Sequence, residues 1–289
     1  MNVSVIIVSL NGRGRIDMPL RALAACDPAP GEVIVVDNGS TDGLSGHVAR
    51  CWPAVGCIRS PRNLGFAGGN NLGIVNATGD VVVLLNDDTE PEPGWLAPLA
   101  QAFAANPRLG VAGCQLLYPG EGGRVQHLGA VVHANGLTDH LAWGEESKDA
   151  APDQVIPCDY VTGAAIAIRR EVMAQVGLLD QGYFPIYFEE VDFCEAARRA
   201  GWELAVVPAA RVVHHESQTT GRLSQRFLRL YHRNRIRYLL KNRGPLGMAR
   251  ALRAEAKWIV GHQPWEHLWP CALAWAWAPF QLADLWRRR

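Results

Sequence analysis

The sequence has no net charge: 28 Lys and Arg balance 28 Asp and Glu over 289 residues. That balance excludes a strongly basic nucleic-acid binder and a strongly acidic tail protein. No two of the seven cysteines stand in CxxC spacing, and their number is odd, which argues against a disulfide framework or a zinc knuckle. Internal repeats and low-complexity tracts are absent. The N-terminus has no basic n-region, and its apolar run, Val3 to Val8, spans six residues. It reads as a buried strand rather than a signal peptide, so a cytosolic compartment is expected. The glycine-rich run 63–71 is neither GxGxxG nor followed by Gly-Lys-Ser/Thr, which removes support for a dinucleotide fingerprint or a P-loop.

What is present is a globular composition, 48% apolar and 19% charged, long enough for one or two domains with a sizeable core. The zero charge is unevenly spread. Residues 222–289 carry 14 basic and three acidic groups, a net +11, so the first 221 carry −11. The expected division is therefore an acidic body, 1–221, and a basic, tryptophan-rich helical tail, 222–289.

Three β-branched runs dominate the first third: Val3 to Val8, Val33 to Val36 and Val81 to Leu85. Helical patterns around Pro19–Ala25 and Asn70–Ala77 separate them. Alternation of apolar strands and helices predicts an α/β fold with a parallel sheet. Polar clusters follow each run: Asn11-Gly12, Asp37-Asn38-Gly39-Ser40 and Asn86-Asp87-Asp88. Three such clusters at strand carboxyl ends would converge on one ligand crevice. Further strands are expected at Val111–Leu117, Val161–Ile168 and Leu204–Val207, and a helix at Val191–Ala200 ending at Gly201. Residues 222–243 read as a basic amphipathic helix broken by Gly244-Pro245, with a second helix from Leu246 to Val260.

Candidate chemistry gathers at a few places. Asp87 and Asp88 are adjacent carboxylates that would repel without a cation or water, and hard oxygen ligands suit Mg²⁺ or Mn²⁺. Adjacent strand side chains point to opposite faces, so one of the two would bind a metal and the other would position loop or substrate groups. The glycine run, Gly68 within it, is expected to be a loop that lets backbone approach a ligand, opening a helix at Asn70 or Asn71. Glu189, Glu190 and Asp192 follow an aromatic stretch that would raise a carboxylate's proton affinity and suit a general base. A plain acidic helix start explains them equally well. Glu195 with Arg198 or Arg199 reads as a helical ion pair. His214 or His215 could complete a metal ligand set. Arg222, Arg226, Arg233 and Arg235 could reach a diphosphate, or simply face solvent or membrane.

Together these segments resemble the family 2 glycosyltransferases of the GT-A fold, nearest the bacterial rhamnosyltransferase-like members. The resemblance covers Val3 to Asn242. It rests on Val-Ile-Ile-Val at 5–8, Val-Asp-Asn-Gly-Ser-Thr-Asp-Gly at 36–43 and Asn-Leu-Gly-Phe-Ala-Gly-Gly-Asn-Asn at 63–71. It continues with Leu-Leu-Asn-Asp-Asp-Thr at 84–89, Val-Thr-Gly-Ala at 161–164, Tyr-Phe-Glu-Glu-Val-Asp-Phe-Cys at 187–194 and Val-Val-His-His at 212–215. It implies a Rossmann-like mixed sheet flanked by helices, and inverting sugar transfer from a nucleoside diphosphate sugar to a glycan or lipid-linked acceptor in cell-surface synthesis. By the same resemblance Asp37 would contact the base or ribose with Asn11 and Asn63 nearby, and Asp88 and His214 would hold Mg²⁺ or Mn²⁺. Asn86 stands where the family's Asp-x-Asp motif begins. Glu190 stands at the usual catalytic aspartate, which leaves the base as Glu190 or Asp192. Rhamnose is the implied sugar. Two other readings stay open, a nucleotidyltransferase of similar fold and a non-catalytic, membrane-associated nucleotide-sugar-binding protein. The first lacks the basic glycine-rich phosphate loop expected near residue 12, where only Arg13 and Arg15 follow.

Six of the ten tryptophans lie at or after Trp258. The stretch Leu268 to Trp286 carries Pro270, Pro279, Gln281 and Asp284. It is expected to span a membrane, to lie in the headgroup region of an anionic inner surface, or to pack against protein.

Overall fold

The computed structural model describes residues 1–289 except 121–122, 148, 216–223, 263–264 and 288–289. Elements alternate through the first third: β1 (Val3–Ser9), α1 (Asp17–Ala24), β2 (Glu32–Asp37), α2 (Leu44–Cys51), β3 (Gly56–Arg59), α3 (Gly65–Ile74) and β4 (Val81–Asn86). A short β5 (Thr89–Pro91) and α4 (Leu96–Ala105) lead to β6 (Leu109–Leu117). Next come β7 (Val125–His127), β8 (Ala130–Val132), β9 (Thr138–His140), β10 (Ile156–Pro157), β11 (Ala165–Arg169) and α5 (Arg170–Val176). The chain closes with α6 (Glu189–Arg199), β12 (Glu203–His214), α7 (Gln225–Asn242), α8 (Pro245–His262), α9 (Trp265–Ala276) and α10 (Ala278–Arg287).

The chain divides into two compact units. The first comprises Met1–Val131, His140–Pro185 and Glu189–Glu216; the second comprises Val132–Asp139, Ile186–Phe188 and Ser217–Arg289. Two short segments thus join the C-terminal helices without any compositional mark.

The first unit is built on a mixed sheet in the order β10-β12-β6-β11-β4-β1-β2-β3, with β5 on β12 and β7 on β6. β3, β2, β1 and β4 are mutually parallel, whereas β11 runs antiparallel to both β4 and β6. Val5, Ile6, Ile7, Val82 and Val83 are fully buried, as strands covered on both faces must be. The strand expected over Val161–Ile168 is shorter and later, Ala165–Arg169. The strand expected over Leu204–Val207 runs on to His214 through an irregularity between Val207 and Arg211. Pro208, which has no N–H to donate, sits in that irregularity.

The glycine run is not the ligand-approach loop expected from its composition. It is α3 itself, beginning at Gly65 rather than at Asn70 or Asn71. The side chains of Asn38 and Asn63 accept the N–H groups of Leu64 and Gly65 at 2.9 and 2.8 Å, anchoring the start of that helix. Interior glycines weaken a helix by about 1 kcal/mol each, yet here they let α3 lie directly on β1. A Cβ on Gly69 would come within 2.6 Å of Val8 Cγ1, and one on Gly73 within 2.4 Å of Ile6 Cγ2.

In the second unit the expected basic helix forms as α7, capped by Ser224 Oγ accepting from Phe227 N–H at 3.1 Å. Its arginines do not all face solvent or a ligand. Arg235 is fully buried, and its five N–H donors find five acceptors. Nη1 and Nη2 grip Glu255 at 2.8 and 2.6 Å, Nη1 also meets Asn135 O at 2.6 Å, Nη2 meets Cys271 Sγ at 3.2 Å, and Nε meets His232 Nδ1 at 3.2 Å. Arg237, 4% exposed, pairs with Asp284 at 2.8 Å. Asn234 Nδ2 donates to Ile186 O and Tyr187 O, both at 2.9 Å, fastening that segment to α7. No helix among the described residues is long and apolar enough to cross a membrane. The stretch Leu268 to Trp286 is divided between α9 and α10.

Two stability outcomes follow from this packing. Gly73→Ala raises helix propensity but forces its methyl group into Ile6, so denaturant unfolding should show a loss of about 1–3 kcal/mol rather than a gain. Glu255→Ala leaves the buried Arg235 cation without its counter-ion. The helices of the second unit should lose about 3–5 kcal/mol, measured as a lowered midpoint by circular dichroism.

Candidate active site

The carboxyl ends of β2, β1 and β4 lie side by side, Ser9 in register with Asp37 and Val8 with Asn86. The chain departs to opposite sides of β1, which makes this the switch point where open α/β sheets take their ligands.

On the β2 side the predicted nucleotide-contact residues form an interlocked set of loops. Asp37 is 2% exposed; its Oδ1 accepts from Ser40 N–H at 2.8 Å and its Oδ2 from the Ser45 hydroxyl, with Arg59 Nε at 3.8 Å. Burial alone would raise its pKa, but the hydrogen bonds from Ser45 and Ser40 and the charge of Arg59 win and hold it below the ordinary carboxylate value. Asn11, at φ 52°, donates its N–H to Ser40 Oγ and accepts Thr41 N–H on Oδ1, both at 2.9 Å. Asn63 Oδ1 takes Asn38 Nδ2 at 3.2 Å. Gly68 packs on Leu64, where an added Cβ would meet Leu64 Cβ at 2.7 Å.

Asp87 and Asp88 are each 8% exposed at the end of β4, and their environments differ. Asp87 is neutralised from within: Arg15 Nε stands 2.9 Å from Oδ1, and Ser9 Oγ donates to Oδ2 at 2.5 Å. Gly12 makes room for that contact, since a Cβ there would lie 2.0 Å from Ser9 Oγ and 2.4 Å from Asp87 Oδ2. Asp88 has no such partner. Its buried Oδ1 accepts no hydrogen bond among the described residues, and it faces His214 Nε2 at 3.3 Å.

His214 reaches this point because β12, past its irregularity, pairs with β5 and sets His214 opposite Thr89. Its Nδ1 lies 2.6 Å from Gln126 Oε1 on β7. With the amide oxygen turned to the ring, Nδ1 carries the proton and Nε2 keeps its lone pair. Two lone pairs, Asp88 Oδ1 and His214 Nε2, therefore face each other, with the Asn86 amide Nδ2 at 3.5 Å from Nε2. This pair of hard-oxygen and imidazole donors fits a divalent cation of the Mg²⁺ or Mn²⁺ type. No group of three or more His, Cys, Asp or Glu able to hold a metal occurs among the described residues. A two-ligand site suits ions that bind through one or two side chains and a substrate's phosphates. His215 instead points to Glu90, 3.6 Å away.

The third cluster opens α6. Tyr187 and Phe188 take positive φ values of 84° and 75°, a costly conformation for aromatic residues, immediately before Glu189. Glu189 and Asp192 are buried at 1% and 5%, while Glu190 keeps part of its surface open. Burial among surrounding groups pushes the Glu190 carboxyl up to about 7, against the pull of the Glu190 and Val191 backbone N–H groups. That value suits a base working near neutral pH. Glu195 pairs with Arg199 at 2.9 Å and with Arg198, as its helical spacing predicts.

Of the arginines read as diphosphate contacts, Arg222 lies outside the described residues. Arg233 donates its Nε–H to Asn234 at 3.0 Å on α7, Arg226 is exposed, and Arg235 is committed to Glu255. The diphosphate reading of Arg235 is therefore corrected, because full burial and five internal acceptors leave it nothing to offer a ligand. Sequence reading gave no role to Gln126, and a single glutamine on a three-residue strand carries no signal. Arg15 was visible only as a basic residue after Gly12.

Comparison with known proteins bears on the fold and the family. The family model "Glycosyl transferase family 2" matches residues 4–177. An uncharacterized Sinorhizobium fredii protein, y4gI, is 33% identical over 66% of this chain, which spans 22% of that relative's length. A Mycobacterium tuberculosis N-acetylglucosaminyl-diphospho-decaprenol L-rhamnosyltransferase is 27% identical over 81% of this chain and 83% of its own. Among solved structures, GalNAc-T7 with UDP, GalNAc and Mn²⁺ superposes with a TM-score of 0.67 at 18% identity, covering 83% of this chain and 47% of that one. The Pyrobaculum calidifontis mannosyltransferase PcManGT with GDP-Man and Mn²⁺ gives 0.59 at 18% identity over 96% and 75%. The mixed sheet with helices on its faces is accordingly the GT-A fold, and the chain belongs to glycosyl transferase family 2.

Proposed function

We propose that the protein moves a sugar, rhamnose in the first instance, from a nucleoside diphosphate sugar to an acceptor hydroxyl, with inversion at the anomeric carbon. The observation that carries this reading is the facing pair Asp88 Oδ1 and His214 Nε2 at the carboxyl end of β4, 3.3 Å apart in a family 2 chain. The loops holding Asn11, Asp37 and Asn63 shape the nucleotide side, with Asp87 fixed beside them by Arg15 and Ser9. Asp88 and His214 would hold Mg²⁺ or Mn²⁺, which, when bound, supplies positive charge to the departing diphosphate. Glu190 takes the acceptor proton as its hydroxyl attacks. Its partial exposure, against the burial of Glu189 and Asp192, favours it over both. A single carboxylate base is enough, because no proton has to be given to a diphosphate leaving group, unlike the paired acids of glycoside hydrolases.

The rhamnosyl donor and a lipid-linked acceptor are supported by the mycobacterial relative, whose length this chain covers to 83%. A cytoplasmic enzyme at the inner face of the plasma membrane would meet both substrates, one soluble and one anchored.

Glu190→Gln should abolish transfer while donor binding, followed by thermal shift with dTDP-rhamnose, persists. Because the Glu190 carboxyl is raised to about 7, it is protonated and idle below that pH. The kcat/KM profile of the parent should therefore fall tenfold per pH unit on its acid side, with its midpoint near 7. An active Glu190→Gln beside a dead Asp192→Asn would move the base to Asp192.

Gln126 deserves its own measurement, since it fixes which nitrogen of His214 is free. Gln126→Leu removes that hold, and Mn²⁺ affinity, read by electron paramagnetic resonance without turnover, should weaken about 10–100-fold. Gln126→Glu keeps an acceptor at Nδ1 and should restore it.

A further inference from the structure

With the peripheral-membrane reading as its premise, we propose that the outer face of α8, together with the aromatic edges of α9 and α10, docks the second unit on an anionic bilayer. Arg235 and Arg237 of α7 do not supply that charge, because both are buried and paired within the unit. Arg226 and Arg229 near the start of α7 are exposed, and the next helix carries three more exposed cations.

α8 buries only Ala251 and Glu255. Its outward positions Leu246, Arg250, Arg253, Lys257 and Val260 are all exposed and recur at intervals of four and three, a single helical face. Glu255 is the helix's only acid, and it is turned inward to Arg235, so the outer face is basic and apolar without a compensating carboxylate. Among the described residues Arg250, Arg253 and Lys257 have no ion-pair partner.

Exposed aromatic residues follow in sequence on α9 and α10. Trp265 and Trp269 on α9 are 75% and 63% exposed, Trp277 and Phe280 at the start of α10 are 58% and 68%, and Trp286 is 80%. Tryptophan joins a large apolar ring to one N–H donor, and such a ring sits favourably at the headgroup level of a bilayer. Cations interleaved with apolar residues on α8, in a unit that also exposes several indoles, match the face of a helix lying in the interface plane. The charge also selects the occupant. A second copy of the chain meeting this face about a two-fold axis would bring the same three cations together, whereas phosphate headgroups neutralise them.

Flotation of the full chain with vesicles tests this. The parent should float with phosphatidylglycerol–phosphatidylcholine vesicles at low salt and remain below with pure phosphatidylcholine. The triple variant Arg250→Glu/Arg253→Glu/Lys257→Glu should lose at least about a hundredfold in partition, since each basic residue contributes about a factor of five. The variant Trp265→Ser/Trp269→Ser should lose binding at high salt while keeping part of it at low salt. All these side chains are exposed, so the melting temperature should not change. Triple-variant flotation equal to that of the parent overturns the proposal. So does a chain that binds heparin but neither vesicle, or one that self-associates through this face in sedimentation without binding lipid. Transfer to a detergent-dispersed acceptor separates the two readings. Its survival in a variant that no longer floats places the failure or success in the docking face, while its loss in the parent would strike the transferase reading instead.

Discussion

Two neighbouring carboxylates at the end of a buried strand are the constraint around which the first unit is arranged. Asp87 and Asp88 cannot both remain ionised at 8% exposure without separate compensation. The turn that they form between β4 and β5 sends the two side chains to different surroundings. Asp87 is answered by groups from the neighbouring β1 end: Ser9 at the end of β1, Arg15 in the segment that follows, and Gly12 whose missing Cβ lets them approach. Asp88 is left facing an imidazole lone pair, a geometry that repels two acceptors and attracts a cation. The irregularity in β12 and its pairing with β5 serve the same end, since without them the chain between Val207 and His214 would not return to Thr89.

This division explains what could be read from residues alone. The strands of the first third, the crevice at their ends and the carboxylate motifs were legible, because burial on both faces and strand-terminal polarity leave local marks. That an aspartate of the 87–88 pair and a histidine of the 214–215 pair could share a metal was legible from residue types, but the choice of Asp88 and His214, 126 positions apart, came only through family resemblance. Gln126 was not legible at all, since its contribution is one acceptor atom placed by a three-residue strand. The glycine run misled for a physical reason. Local propensity makes Gly68-Gly69 a loop, but close packing of α3 on Ile6 and Val8 outweighs propensity.

The C-terminal arginines show the opposite failure of a local reading. Sequence periodicity cannot tell a solvated cation from a buried one, and α7 contains both: Arg226 and Arg229 are exposed, Arg235 and Arg237 are not. A buried pair such as Arg235–Glu255 adds little net stability over an apolar substitute. What it does supply is direction. Five donors matched to five acceptors on α7, α8, α9 and the 132–139 segment admit one arrangement of those elements, and an unmatched alternative would strand a charge.

That arrangement has a consequence for charge at the surface. By drawing Glu255 inward, Arg235 removes the only carboxylate that α8 could show to solvent. Arg237 occupies Asp284 in the same way on α10. Two of the three acids in the tail are thereby paired within it, Glu255 buried and Asp284 half-exposed, leaving Glu266 as the third. A segment whose sequence reads as uniformly basic thus becomes a helical unit with part of its charge paired internally and a face of α8 that carries cations alone. The +11 total overstates the number of available cations. Local charge on such a face, rather than total charge, is what a headgroup layer responds to within a Debye length of about 10 Å. The structural role of the buried arginines and the interfacial role of the exposed ones are therefore two results of the same pairing.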